Sequence, residues 1–189
     1  MRYFLGMEVA RSKEDLFISQ RKSTLNLLKD TGMTACKPAG TPLEKDWKLE
    51  EKGNDAPVNK EKYQRLVGRL IYLSLTRPNI VYSVSVISQY MHSPIERRMR
   101  AVQHVLRYLK GTPRKGIMFK KTENRSIEGY VDADWAGSRE DSRSTSGYCT
   151  KVFGNIVTWR SKKQSVVAHS NAKPCCEPSF EQLLMGYVK

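Results

Sequence analysis

The order of apolar and polar positions divides the chain into short alternating runs and longer stretches of helical period. Positions 3–9 alternate as a strand, residues 11–15 supply a turn, and Leu16 to Ser19 return as its partner, which predicts an N-terminal β-hairpin. A short helix follows over 20–30, with Leu25 and Leu28 on one face and Gly32 as its stop. Residues 34–59 are broken by Pro38, Gly40, Pro42, Gly53 and Pro57 and read as extended chain or loop. A helix over 60–76 gathers Tyr63, Leu66, Val67, Leu70, Ile71 and Leu73 into a broad apolar face, and Gly68 within it is read as admitting a neighbouring helix. Residues 80–90 are rich in Val, Ile and Ser and fit strand or helix; Pro78 just before them favours helix.

A third long helix is predicted over 94–110. Ile95, Met99, Val102, Leu106 and Leu109 fall on one side, and Arg97, Arg100, His104 and Arg107 on the other. Gly111 is the expected cap, and Pro113 to Gly116 turn the chain into a strand at 117–119. Three more strands complete the pattern. The first covers 127–131 and ends on Asp132 and Asp134; the others cover 147–153 and 155–159, with Gly154-Asn155 as the hairpin signal between them. Runs of helix and runs of strand kept apart in this way predict an α+β fold.

Charge alters this picture more than composition does. The 189 residues carry a formal net charge of +14, which points to a polyanionic partner. Lys110, Arg114 and Lys115, with Lys120 and Lys121, prolong the arginine side of helix 94–110 into a basic track. Two readings stand side by side: a solvated polar face, or a surface that neutralises backbone phosphates through Arg97, Arg100, Arg107, Lys110, Arg114 and Lys115. Cys36, Cys149, Cys175 and Cys176 show no disulfide framework, which fits a reducing compartment. No apolar run nears the roughly 20 residues of a membrane span, and the first residues lack a secretory pattern. The expectation is an intracellular product, cytoplasmic or nuclear, neither secreted nor membrane-bound.

Several separated motifs carry a resemblance. Tyr3 to Val9 (YFLGMEV), Tyr63 to Leu73 (YQRLVGRLIYL), Thr76 to Ile80 (TRPNI) and Val105 to Thr112 (VLRYLKGT) resemble the C-terminal part of the reverse transcriptase in copia-type LTR retrotransposon Pol polyproteins. Asp132 to Gly137 (DADWAG), Ser144 to Tyr148 (STSGY), Trp159, Ser161 to Gln164 (SKKQ) and Ala168 to Ala172 (AHSNA) resemble the start of the ribonuclease H domain in the same polyproteins. The resemblance implies three regions. Residues 1–121 would be the end of the palm with a helical thumb- or connection-like part, 125–172 the opening three-stranded antiparallel meander of an incomplete ribonuclease H-like domain, and 173–189 a divergent tail.

For chemistry, the resemblance implies a defective set of ligands. The family's polymerase carboxylates lie in a Tyr-x-Asp-Asp turn and an earlier strand, and no Tyr-x-Asp-Asp occurs in these 189 residues. Ribonuclease H chemistry needs clustered carboxylates holding two Mg²⁺ ions. Asp132 matches the first-strand ligand and Asp134 is its neighbour, whereas Cys175 stands where the ligating Glu is expected and Lys173 replaces the Glu before it. Asp132 would hold Mg²⁺ only in a completed site, so no cofactor is expected for this chain. Cys175, Cys176 and His169 lack zinc-ligand spacing, and His92 and His104 read as surface or helix-face residues. The functional expectation is a catalytically inactive part of the polyprotein. The alternative is a non-catalytic nucleic-acid-binding protein using helix 94–110, contacting an RNA–DNA hybrid or DNA through the backbone. An active hybrid ribonuclease ranks last, and protein partners are left open. With the remainder of a nuclease sheet lost, the apolar face containing Val131, Tyr148, Val152, Val157 and Trp159 is expected to lack cover and the two halves to be loosely coupled. The break at Ala172 reads as a frameshift: translating the encoding DNA in its other two frames should restore a Glu-Ala-Glu-Tyr pattern after codon 172, and its absence from both frames refutes the shift.

Overall fold

The computed structural model describes residues 2–44, 49, 55–123, 125–134 and 145–164. The architecture is α+β. Strands β1 (Arg2–Phe4), β2 (Met7–Arg11), β3 (Asp15–Ser19) and β4 (Gly116–Lys120) form a four-stranded sheet in the order β1-β2-β3-β4, antiparallel throughout. Helices α1 (Arg21–Asp30), α2 (Lys60–Leu73), α3 (Val81–Ser88) and α4 (Glu96–Gly111) separate β3 from β4. A second antiparallel sheet, β5 (Ile127–Asp134), β6 (Thr145–Val152) and β7 (Asn155–Lys163), follows as the predicted meander.

The N-terminal sheet has twice the strands of the predicted hairpin, for two physical reasons. Leu5 and Gly6 both take positive φ (47° and 71°), the pairing of a tight two-residue turn, so the expected single strand folds back on itself as β1 and β2. β4 then pairs with β3 from almost a hundred residues away, with Leu16 opposite Phe119 and Ile18 opposite Ile117. That pairing requires Gly116, where a Cβ would lie 2.2 Å from the carbonyl oxygen of Ile18. In the meander, the turn residues are Phe153 and Gly154 (φ 53° and 73°), with Val152 opposite Asn155, one position earlier than the sequence signal.

Helix boundaries follow the pattern to within a few residues. Asn59 caps α2, its Oδ1 accepting from the Lys62 amide at 2.7 Å. Pro78 opens a 3₁₀ turn (Pro78–Ile80) that feeds α3, so the β-branched run is helical as Pro78 suggested. The main core joins Leu27 and Leu28 of α1, Tyr63, Val67 and Leu70 of α2, Val84 and Ile87 of α3, and Val102, Val105 and Leu109 of α4. Tyr63 binds α2 to α3 by donating to the Ile87 carbonyl at 2.8 Å, and burial pushes its hydroxyl pKa up. The close-approach reading of Gly68 does not hold: it is exposed, with no atom within 4 Å of an added Cβ. Ile71, assigned to the apolar face, is also exposed.

Arg77, in the turn between α2 and α3, is among the most completely buried side chains. Its NH1 donates to the Thr112 carbonyl at 2.8 Å, NH2 to Thr112 Oγ1 at 2.6 Å, and Nε to Asn79 Oδ1 at 3.3 Å. Thr112 caps α4, so the guanidinium sits at the negative end of that helix. Burial lowers the Arg77 pKa to about 10, still well above neutrality. Asn79 extends the arrangement by donating to the Tyr108 hydroxyl.

The two halves are not loosely coupled. Cys149, Ile156, Tyr130 and Trp159 on one face of the meander pack with Ile117 and Phe119 of β4. Trp159 Nε1 donates to the Ser74 carbonyl at 3.0 Å and Ser85 Oγ to the Ser161 carbonyl at 3.0 Å. Asn155 Oδ1 accepts from the Lys120 amide at 2.7 Å and its Nδ2 donates to the Lys120 carbonyl at 2.9 Å. Trp159 therefore lies on the packed face, whereas Val131, Tyr148 and Val157 are exposed. Replacing Arg77 by Ala is expected to cost about 2–4 kcal/mol, because several buried acceptors lose their donor together. Arg77→Lys should lose most of the same stability, since an ammonium cannot reproduce the fork. Urea unfolding followed by tryptophan fluorescence measures both.

Candidate functional site

Asp132 lies near the end of β5, exposed, with Gly147 of β6 directly opposite and Ser161 of β7 beyond Gly147. Neither cross-strand neighbour offers a carboxylate. Glu128 points to the same face by strand alternation, but four residues along a strand is about 13 Å, too far to share an ion pair of metals. Among the described residues, no group of three His, Cys, Asp or Glu side chains could hold a metal. The described carboxylates around Asp132 do not make up a two-Mg²⁺ site. Ala133 and Asp134 belong to β5 by backbone pairing with Ser146 and Thr145. His169, Lys173, Cys175, Cys176 and the tail 173–189 lie outside the described residues, as do 135–144.

Beside Asp132, the packed face of the meander carries an arrangement that the pattern reading missed. Glu128 Oε2 accepts from the Tyr130 hydroxyl at 2.7 Å and Oε1 from Ser126 Oγ at 2.9 Å. Lys151, almost fully buried, sets its ammonium 4.4 Å from the Tyr130 ring centre, 3.3 Å from its hydroxyl and 4.0 Å from Glu128 Oε2. The Tyr130 and Ser126 bonds, with the Lys151 charge, hold the Glu128 carboxyl below the usual range; its bond to Glu128 raises the Tyr130 pKa. Neighbouring Cys149 is buried, and desolvation pushes its thiol pKa up, so it is a packing residue and no nucleophile. The opposite register positions of Glu128 and Lys151 were legible in sequence only once the hairpin pairing was known.

The basic helix face is largely engaged within the chain, although Arg100 itself is exposed. Arg97 Nε lies 3.0 Å from Asp55 Oδ2, and Arg100 NH2 lies 3.4 Å from Asp55 Oδ1. Arg107 Nε donates to the Lys37 carbonyl at 2.9 Å, and Lys110 Nζ to the Cys36 carbonyl at 2.5 Å. His104, read as a surface or helix-face residue, is buried: its Nε2 donates to the Thr41 carbonyl at 2.9 Å, and Glu44 lies 3.6 Å from Nδ1. Arg98, absent from the predicted set, is also buried; it donates to the carbonyls of Leu49 and Ser93 and lies 4.0 Å from the Tyr90 ring centre. The described part of the segment between α1 and α2 thus lies over α4 and uses its cations as anchors. Arg114 and Lys115, in the turn beyond α4, have no side-chain ion-pair partner among the described residues, and Arg114 is exposed.

A helical body with a carboxylate-ended meander docked on its sheet is the setting in which the motif resemblance can be tested against known proteins. The chain is 41% identical to the retrovirus-related Pol polyprotein from transposon RE1 of Arabidopsis thaliana and 42% identical to that from transposon RE2, each over 92% of its own length. It is also 37% identical, over 90% of its length, to an uncharacterized mitochondrial protein of Arabidopsis thaliana, of which it covers 71%. The chain belongs to the Pol polyprotein family of copia-type transposons. It spans 12% of the length of the two transposon polyproteins. No family model and no solved structure matches it.

The anchoring role of Asp55 is open to direct measurement. Its side chain is 12% exposed, and Arg97 is the more buried of its two arginines. Asp55→Ala is expected to destabilise the chain by about 1–3 kcal/mol, as two cations lose a shared partner, whereas Arg100→Ala should cost below about 1 kcal/mol. A double-mutant cycle on Asp55 and Arg97 in urea should give a coupling of about 0.5–3 kcal/mol.

Proposed function

We propose that the chain is the stretch of a copia-type Pol polyprotein in which the end of the reverse transcriptase region, 1–121, passes into the opening of the ribonuclease H region, 125–172. By itself it hydrolyses no RNA–DNA hybrid. One observation carries this reading: the carboxylate matching the first ribonuclease H ligand, Asp132, faces Gly147 and Ser161 across the sheet, and Cys175 holds the position of the expected Glu. Two-metal hydrolysis requires several oxygen donors converging on ions about 4 Å apart, so that one ion activates the attacking water and the other steadies the leaving oxygen. A thiol at the second position is a poor ligand for Mg²⁺, which takes oxygen. Asp132 is then a remnant ligand within a pseudoenzyme.

The reading of helix 94–110 as a nucleic-acid contact surface has less support from the geometry. Arg97, Arg100, Arg107 and Lys110 are engaged with Asp55 and backbone carbonyls, leaving Arg114 and Lys115, beyond the helix, as the cations of this track without an ion-pair partner among the described residues. Incubating purified chain with a labelled RNA–DNA hybrid and Mg²⁺ should give no cleavage above a protein-free control. Cleavage that disappears in Asp132→Asn would overturn the proposal.

A further inference from the structure

The meander has two unlike faces. One packs on β4; the other faces away from it and carries no packed layer among the described residues. Strand alternation and register place Val131, Tyr148 and Arg160 side by side in one row across β5, β6 and β7. Lys162 follows two residues along β7, opposite Ser146, and Ile127 lies at the far end of β5. Val131 is 64% exposed, Tyr148 43% and Ile127 73%, and Arg160 and Lys162 are exposed as well. No outward position of the three strands is acidic; Glu128 and Asp132 fall on the other face. Neither Arg160 nor Lys162 has an ion-pair partner among the described residues.

We infer that this outward sheet face binds single-stranded nucleic acid, with a base stacked on Tyr148 and flanking phosphates held by Arg160 and Lys162. An exposed aromatic ring seeks a flat apolar partner, and uncompensated cations seek anions. A single strand offers unpaired bases and phosphates at alternating positions, whereas a duplex hides its base faces. Arg160 is the direct cross-strand partner of Tyr148 on this face, so one nucleotide can meet both. The outward run of β7 from Asn155 to Lys162 is about 23 Å long, room for a few nucleotides. A second copy of the chain is a poor occupant. A two-fold contact through this face would bring Arg160 and Lys162 toward their equals in a molecule already at +14. The basic residues of α4, by contrast, are spent on the chain's own carbonyls and Asp55. This inference uses no carboxylate and does not rest on the proposed loss of hydrolysis.

The test is fluorescence anisotropy of a fluorescein-labelled oligothymidylate with the full chain, titrated at several salt concentrations. Tyr148→Ala should weaken binding by roughly 5- to 150-fold, the worth of one stacked base, while Tyr148→Phe should bind like the unaltered protein. Removing both charges in Arg160→Ala/Lys162→Ala should make the slope of log affinity against log salt shallower by about 1.4. Lys60→Ala/Lys62→Ala removes the same charge from the far end of α2 and should leave affinity within about twofold. Near-UV circular dichroism confirms that each variant keeps its fold. The inference is overturned if Tyr148→Ala and Arg160→Ala/Lys162→Ala bind as the unaltered chain does. It is equally overturned if a duplex of the same length binds as tightly with the same sensitivity to Tyr148→Ala, or if polyglutamate competes as well as oligothymidylate. Self-association in sedimentation that Tyr148→Ala abolishes would assign the face to a second copy and also overturn it.

Discussion

A buried cation held by neutral oxygens is the pivot of this structure. The Arg77 guanidinium is buried, and desolvation draws its pKa down to about 10, yet the cation persists because its surroundings are polarised to receive it. Two of its acceptors are the carbonyl and hydroxyl of Thr112, at the end of α4, where the helix dipole already gathers negative charge, and the third is Asn79 Oδ1. This fixes the turn after α2 against the end of α4. From there the chain turns through Pro113 into Gly116, whose lack of a Cβ lets β4 meet β3. The fork therefore sets the point from which the N-terminal sheet is closed. The Ser74 carbonyl, three residues before Arg77, receives the Trp159 indole, so the meander is referenced to the same turn.

The second constraint is how the chain disposes of its positive charge. Helix α4 is buried on more of its circumference than an amphipathic surface helix, with Arg98 and His104 among its buried residues. A segment without regular structure can cover a polar helix face only if its carbonyls and that face satisfy one another. Cys36, Lys37, Thr41 and Leu49 supply the carbonyls; Lys110, Arg107, His104 and Arg98 supply the donors. The basic side of α4 is accordingly an internal adhesive. Net charge alone could not distinguish cations that hold the chain together from cations facing outward.

That limit explains what was legible beforehand. Periods of 3.6 and 2 placed α1, α2, α4 and β5 to β7, because each pattern is local and repeated, whereas the β-branched run of α3 was ambiguous by period and rested on Pro78. The split of β1 from β2 was hidden because Leu5 at positive φ is not a turn residue by propensity; Gly6 alone had to signal it. The turn at Phe153-Gly154 was displaced by one residue for the same reason, a bulky side chain in the left-handed region. The β3–β4 pairing joins positions so distant that only tertiary structure reveals it. The burial of His104 and Arg98 was not legible because Thr41 and Leu49, whose carbonyls they meet, lie in a segment whose path has no periodicity. Of the candidate chemistry, the motif around Asp132 was legible as ancestry. The opposition of Asp132 to Gly147 and Ser161 required strand register.

Register also separates two histories on one small sheet. Period-2 alternation sends Glu128, Tyr130 and Asp132 to one side, with Cys149, Lys151 and Trp159. On that side burial is compensated: the Lys151 ammonium meets a carboxylate and an aromatic ring, and the Trp159 indole finds a carbonyl. The face that carries Asp132 is thus largely committed to packing against β4. On the other side the same alternation leaves an aromatic ring, aliphatic groups and two cations without such compensation among the described residues. A carboxylate there would have formed cross-strand pairs with Arg160 or Lys162 and dulled the face, as Asp55 does for α4. No outward strand position holds one, and the two surfaces, built from the same three strands, consequently differ in what they can engage.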